Sequence, residues 1–299
     1  MKIFGPVVHP DRFSDNGIRN LDSVNLFYDG FNECVKTNSG ELNVFAIGEP
    51  RSIKGYRKKF LEQFDMVLSH RPLKLKTNLV INRPLLQHFC GINYSSVSSD
   101  WKPNFKTSTD LIDDYTPPNK RKDRICCITS NKTKSDGHKD RIELIDQCMD
   151  EMLPLDLYGV GFSAVQDKFD VLNQYKYALV IENSIEKNYF SEKILDGLIS
   201  GCRVIYCGCP NISKLLDEAI SPYFVSAEFS SKSIKFFFEN WPHKSLSTDE
   251  HKTRILHSVL NKHNIKSELS EILKRHTVKC STSDKCIFPE RKFLRWLTI

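Results

Sequence analysis

A chain of 299 residues exceeds the usual size of one core, and at about 100–200 residues per domain it implies two domains. Its 40% hydrophobic and 27% charged residues are those of an ordinary soluble globular protein. No apolar run approaches the ~20 residues that span a bilayer and the N-terminus lacks a signal-peptide h-region, which predicts a cytoplasmic chain. In chain order, "LNVFAIGEP" (42–50) reads as a buried strand ending at Gly48, "GYRKKFLEQ" (55–63) as a helix, and "FDMVLSH" (64–70) as a second strand. The segment "YTPPNKRKD" (115–123), with two prolines and a charge run, is the best linker. Beyond it come strand "RICCITSNK" (124–132), helix "GHKDRIELIDQCMDEM" (137–152) and strand "LDLYGVGF" (155–162). Strand "YALVI" (177–181), helix "FSEKILDGLIS" (190–200) and strand "RVIYCG" (203–208) follow, and Gly201 stands where a C-terminal cap belongs. Residues 228–275 are largely helical in pattern, and "CIFPERKFLRWLTI" (286–299) is a basic, aromatic tail. Short apolar runs alternating with helical patterns predict an α/β protein with parallel sheets.

The net charge of +6 admits an anionic partner without choosing among a phosphate-bearing ligand, nucleic acid and an acidic membrane surface. Several of the ten cysteines (Cys126, Cys127, Cys202 and Cys207 among them) lie in apolar runs and read as reduced core thiols. The pairs Cys207/Cys209 and Cys280/Cys286 lack zinc-site spacing, so no metal is expected.

Ligands of parallel sheets bind beyond the carboxyl ends of the strands, and three strands here end in polar residues. After "RICCIT" come Ser130, Asn131 and Lys132, then His138, Lys139 and Arg141 at the start of a helix. Cations at a helix N-terminus oppose the dipole, and a bound anion would offset the cost; a solvated basic face is the plainer alternative. After "YALVI" come Glu182 and Asn183, then Tyr189, Ser191, Glu192 and Lys193 at the next helix start. A carboxylate there can accept from ribose hydroxyls while Lys193 holds a diphosphate, against the alternative of a capping arrangement with a surface Glu/Lys pair. After "NVFAIG" comes Glu49, placed as a general base would be, or else a loop acid. "YGVGFSA" gives Gly159, Gly161 and Ala164 the G-x-G-x-x-A spacing of a dinucleotide fold, but "FSAVQDKFD" does not run into a long amphipathic helix, so a tight turn is the better reading.

Taken together, "KFDVLNQYKYALVIENS", "NYFSEKILDGL" and "RVIYCGCPNI" resemble the donor-binding signature of the alpha-1,3-fucosyltransferases, the family-ten glycosyltransferases. "CCITSNKTKSDGHKDRIELI", "LDLYGVGF", "AIGEPRS" and "FDMVLSHR" extend the resemblance over about residues 42–215. It implies a GT-B fold of two Rossmann-like domains facing a cleft: an acceptor-binding domain over 1–116, a donor-binding domain over 117–275 and a tail over 276–299. It also implies a soluble, bacterial-like member that is an inverting, metal-independent enzyme without a cofactor, moving fucose from GDP-fucose to a hydroxyl of a glycan, lipopolysaccharide precursor or lipid-linked oligosaccharide. Glu49 would be the base. Glu192 would take the ribose, Lys193 and Arg141 the diphosphate, and Asn131, Glu182, Asn183 and Tyr189 would complete the donor pocket. Val204 stands where the family usually carries proline. The tail offers peripheral contact with the inner face of an anionic membrane, against the plainer reading of a buried terminal helix. Alternatives are another nucleotide-sugar donor, or an NAD-dependent oxidoreductase built on Gly159 and Gly161; nothing beyond basicity supports a nucleic-acid partner.

Overall fold

The computed structural model describes residues 1–5, 21–76, 79–85, 88–93, 104–106, 108–241, 248–250 and 257–290. They form two compact units, one of residues 1–87 with 263–299 and one of residues 88–262. The first contains β1 (Lys2–Phe4), β2 (Val24–Tyr28), β3 (Val35–Thr37), β4 (Leu42–Ala46), α1 (Lys58–Leu61), β5 (Met66–Leu68) and β6 (Leu79–Ile81). The second contains β7 (Ile92–Asn93), β8 (Asn104–Phe105), α2 (Ser108–Asp113), β9 (Lys122–Ile128), α3 (Asp136–Asp150), β10 (Leu155–Tyr158), α4 (Lys168–Leu172), β11 (Tyr175–Ile181), α5 (Glu192–Ile199), β12 (Arg203–Cys207), β13 (Phe224–Ser226), α6 (Ser231–Asn240), α7 (Thr248–Glu250) and α8 (His257–Lys262). The chain then returns to the first unit with α9 (Ile265–Arg275) and β14 (Lys285–Ile287).

In the first unit β1-β2-β4-β5-β6 form a parallel sheet. Both faces are covered, which is why its strands read as unbroken apolar runs. Leu26, Val44, Met66 and Leu68 pack with Ile265, Leu269 and Ile272 of α9, while Phe27, Phe45 and Val67 pack with Phe60, Phe64 and Ile287. The helix expected over 55–63 is a single turn at α1, pinned by the edge-on and tilted ring contacts of Phe60 and Phe64 with Phe45.

The second unit holds a parallel sheet in the order β10-β9-β11-β12-β13. Ile125, Tyr177, Leu179 and Ile205 face α3 and α6 on one side. On the other side α5 lies so close that a Cβ at Gly197 would come within 2.8 Å of Val204 Cγ2. The buried Val204 side chain, at the position where proline was noted as usual, is therefore accommodated by a glycine.

The division of the chain differs from the one read at the proline pair. Residues 88–116 group with the second unit because buried acceptors there hold their backbone: Asp196 Oδ1 accepts from Phe89 N and Cys90 N at 2.6 and 3.0 Å, and Asn173 Oδ1 from Thr116 N at 2.9 Å. The proline segment itself is packed, with the Arg121 guanidinium donating to Thr116 O and Ser200 O, both at 2.7 Å. At the other end, β14 pairs antiparallel with β3, which places the described start of the expected tail in the first unit; residues 291–299 lie outside the described residues.

Candidate functional site

Counted within the second unit, the order β10-β9-β11-β12-β13 is 2-1-3-4-5, whose topological switch lies between β9 and β11. Open parallel sheets bind ligands at the carboxyl side of that switch, where connections leave toward opposite faces and open a crevice. The loops after β9 and β11 carry seven of the eight residues singled out in the sequence or lead into the helices that carry them.

Arg141 projects from α3 and is only 3% exposed. One Nη donates to Asn183 Oδ1, and Nη2 donates to Ser130 O at 2.9 Å and Ser130 Oγ at 3.2 Å. Its Nε is buried without a hydrogen-bond partner among the described residues, a donor that a bound acceptor would satisfy. Burial lowers the Arg141 pKa while the Glu182 charge acts the other way. The approach of α3 to the β11 loop needs Gly137, where a Cβ would stand 2.0 Å from Asn183 O.

Glu182 is 1% exposed and fully engaged. Its Oε1 accepts from Ser191 N at 2.8 Å, Ser191 Oγ lies 2.9 and 2.8 Å from its two oxygens, and Lys193 Nζ stands 3.5 Å from Oε2 and 2.7 Å from Ser191 Oγ. The Ser191 hydroxyl thus turns to Glu182 and makes no side-chain cap on α5, so the first-turn amides of α5 are not closed by it. Glu182 therefore acts through Ser191 and Lys193: it sets the helix start and holds the ammonium. Burial opposes the charge on Lys193, but Glu182 and Glu192 keep its pKa raised.

Glu192 Oε1 accepts from Lys168 Nζ at 3.0 Å, and the same ammonium bonds Asp196 Oδ2 at 2.7 Å. Although burial pushes the other way, Lys168 and Lys193 hold Glu192 below the usual carboxylate range. Lys168 was not singled out in the sequence; its partners lie 24 and 28 residues away, beyond any local spacing signal. A small cavity of about 20 Å³, room for one water, is lined by Lys168, Lys193 and Asp196 with Cys126 and Ala178.

Asn131 is exposed in the β9 loop, its amide donating to Val160 O at 3.0 Å and its side chain lying over Gly161, where a Cβ would meet it at 2.2 Å. Gly159 and Gly161 have φ of +109° and +88° and form a turn against this loop, and the helix after them, α4, is five residues long. The G-x-G-x-x-A spacing is thus a turn that does not run directly into a long helix. Tyr189 is buried, 2% exposed, and supports the β11–α5 loop from within; next to it Asn188, at φ +64°, exchanges hydrogen bonds of 2.9 and 2.8 Å with Asn211. His138 is lowered by burial and then by Arg141, Lys132, Lys193 and Lys134, which shows how many cations act on this one point. Among the described residues there is no group of three or more His, Cys, Asp or Glu suited to a metal ion.

Glu49 belongs to the first unit, two residues beyond the ladder of β4 with β5, half-buried at the carboxyl end of the central strand. Its amide donates to Asp29 Oδ1 at 3.3 Å.

Residues 118–214, which hold the whole β9-to-β12 arrangement, match the family model described as glycosyltransferase family 10 (fucosyltransferase) C-term. This segment is thus similar to the glycosyltransferase family 10 domain over about a third of the chain. A fucosyltransferase-like protein of Arabidopsis thaliana is 30% identical over 77 residues; the match covers 25% of this chain and 15% of that relative's length. Solved structures of similar shape include an alpha1,3-fucosyltransferase with GDP (18% identity, TM-score 0.47, 89% of this chain and 78% of that one). A pneumococcal O-GlcNAc transferase in complex with UDP and GlcNAc is similar at 10% identity and TM-score 0.43, over 84% of this chain and 57% of that one. Two α/β units, each around a five-stranded parallel sheet, are the composition of the GT-B fold expected from the sequence.

Proposed function

We propose that this protein is a family-10 member, an inverting, metal-independent glycosyltransferase that moves fucose from GDP-fucose to a hydroxyl of a glycan or lipid-linked oligosaccharide. The observation that carries the reading is the meeting of Arg141, with its unpartnered buried Nε, and Lys193, held by Glu182, beside the open start of α5 at the switch point of the family-10 segment. Two fixed cations match a diphosphate in charge, and the guanidinium adds directional donors. Glu192, kept ionised by Lys168, is the acceptor for ribose hydroxyls. The fucosyltransferase description of the matched family supports the donor sugar.

In this reaction Glu49 takes the proton of the acceptor hydroxyl as its oxygen attacks the anomeric carbon. The bond from that carbon to the diphosphate breaks, its electron pair stays on the leaving phosphate, and the beta-linked donor gives an alpha-linked product. Charge grows on the diphosphate in the transition state, so Arg141 and Lys193 stabilise it more than the ground state. No cofactor beyond the sugar nucleotide is needed. The described residues contain no helix long and apolar enough to cross a membrane; the cytoplasmic location and the membrane contact of the basic tail remain part of this proposal.

The test is a thermal-shift panel with GDP, UDP, CMP, NAD, GDP-fucose and GDP-mannose, with and without magnesium. A ligand at a hundred times its Kd stabilises by about 2.7 kcal/mol. A magnesium-independent shift with GDP and GDP-fucose supports the reading, a response to UDP alone changes the donor, and a response to NAD alone removes the reading. Arg141→Ala should weaken GDP by about 1.5–3 kcal/mol, or roughly 10- to 150-fold, the range for a hydrogen bond to a charged group.

A further inference from the structure

Two cations and a carboxylate account for the donor side, but a base must also be aimed. At the carboxyl edge of the first sheet the ladder runs out in a particular way. Asp29 N donates to Ala46 O at 2.8 Å and Ile47 N to Leu68 O at 3.0 Å, so Gly48 and Glu49 are the first amides beyond the strand pairing. Asp29 turns back over them, with φ at +49°, a left-handed conformation that aspartate and asparagine adopt more readily than other side chains. Its Oδ1 accepts from Gly48 N at 3.2 Å and Glu49 N at 3.3 Å.

The carboxylate is itself fixed. Tyr56 OH lies 2.7 Å from Oδ1 and 2.8 Å from Asp29 O, and Lys54 Nζ stands 3.2 Å from Oδ2 while also donating to Asp29 O. Burial, then the Asp29 charge, keeps the Tyr56 phenol protonated and therefore a donor. Asp29 is 8% exposed, so this is a built junction and not a surface pair.

We propose that Asp29 is a positioning residue for transfer: held by Tyr56 and Lys54, it fixes the Gly48–Glu49 backbone and so aims the Glu49 carboxylate at the acceptor hydroxyl. The inference rests on the reading of Glu49 as the base. Its effect is on geometry at one reacting group, where a displacement of about 1 Å lowers rate by up to ~100-fold.

The experiment measures two things on the whole chain: amide hydrogen exchange over residues 47–53, and kcat with donor KM for GDP released from GDP-fucose, to water or to an added glycan. In Asp29→Ala, exchange at Gly48 and Glu49 should quicken, and kcat should fall by about 10- to 100-fold with donor KM and GDP affinity within about twofold of the parent. Asp29→Asn keeps the left-handed turn and an oxygen acceptor, so it should recover slow exchange and most of kcat. Where the alanine variant does not fold, Tyr56→Phe, which removes one support of the carboxylate, should still quicken exchange and lower kcat severalfold. Unchanged exchange and kcat in Asp29→Ala, in Tyr56→Phe where the alanine variant does not fold, or an asparagine variant no better than alanine, would overturn the proposal. Glu49→Gln separates the two readings: parental turnover in that variant removes the base, whereas the exchange data still judge the anchor.

Discussion

Glu49 and Glu182 follow the carboxyl ends of two central parallel strands, β4 and β11, and look alike in the sequence. Their settings are opposite. Glu182 is 1% exposed with its oxygens committed to Ser191 and Lys193, whereas Glu49 is half-buried and its backbone amide, not its side chain, is what Asp29 grips. A carboxylate saturated by fixed donors builds a site, whereas at Glu49 the anchored group is the backbone amide. Position at a strand end therefore nominates a residue, and the partners of its oxygens decide the role.

That contrast breaks first, and by the widest margin, at Glu49. Glu49→Gln should lower transfer by about 10²- to 10⁴-fold, the range for loss of a general base, while unfolding free energy stays within about 0.5 kcal/mol and GDP affinity is unchanged. Equal loss of turnover and GDP binding would erase the distinction. Glu182→Ala should show the reverse pattern, a loss of about 2–3 kcal/mol in urea unfolding, because Ser191 N and Lys193 lose their acceptor. The partial exposure of Lys193 keeps this at the low end for a broken ion pair. An alanine variant as stable as the parent would return Glu182 to the role of a ligand contact.

A sharper, smaller test lies at Gly137. Alanine in a helix normally gains up to about 1 kcal/mol over glycine, but here the methyl would stand 2.0 Å from Asn183 O, so Gly137→Ala should destabilise by about 1–3 kcal/mol and weaken GDP through the displaced Arg141–Asn183 pair. A stability gain would show that α3 and the β11 loop are not in close contact. The smallest effect concerns Asp167, which like Asp29 accepts two amides, from Gly91 and Phe169, and is pushed up to about 6 by burial. The folded chain then binds a proton more tightly than the unfolded chain, so this group favours folding most below about pH 4, and its contribution declines as pH rises toward 6. Asp167→Asn should flatten that decline in a series of urea unfolding curves and leave stability at pH 7 equal or slightly higher.

Much of this was legible in the sequence because it depends on neighbours along the chain. Doubly covered strands appear as apolar runs, and the Glu-Asn-Ser elbow with the Glu-Lys helix start marks the β11–α5 junction. The roles of Lys168 and Asp29 were not legible, since their partners are brought by tertiary packing: Lys168 reaches Glu192 and Asp196 from α4, and Asp29 reaches Glu49 across parallel strands. The boundary at the proline pair failed for a related reason. Composition marks a turn, but Arg121 and Asn173 pack that turn into the second unit, and the pairing of β14 with β3 joins segments about 250 residues apart.

That last pairing has a bearing on how the chain is made. Because residues 88–262 are contiguous, the second unit has all of its sequence before α9 and β14 are synthesised, whereas the first unit waits for both. Until β14 is made, the cluster around Phe27 and Phe45 lacks Ile287, and an incompletely covered apolar face is prone to aggregation. Such an intermediate is the one a chaperone would meet, and a stop codon placed before α9 should yield a protein whose second unit folds while its N-terminal part is cleared by proteases.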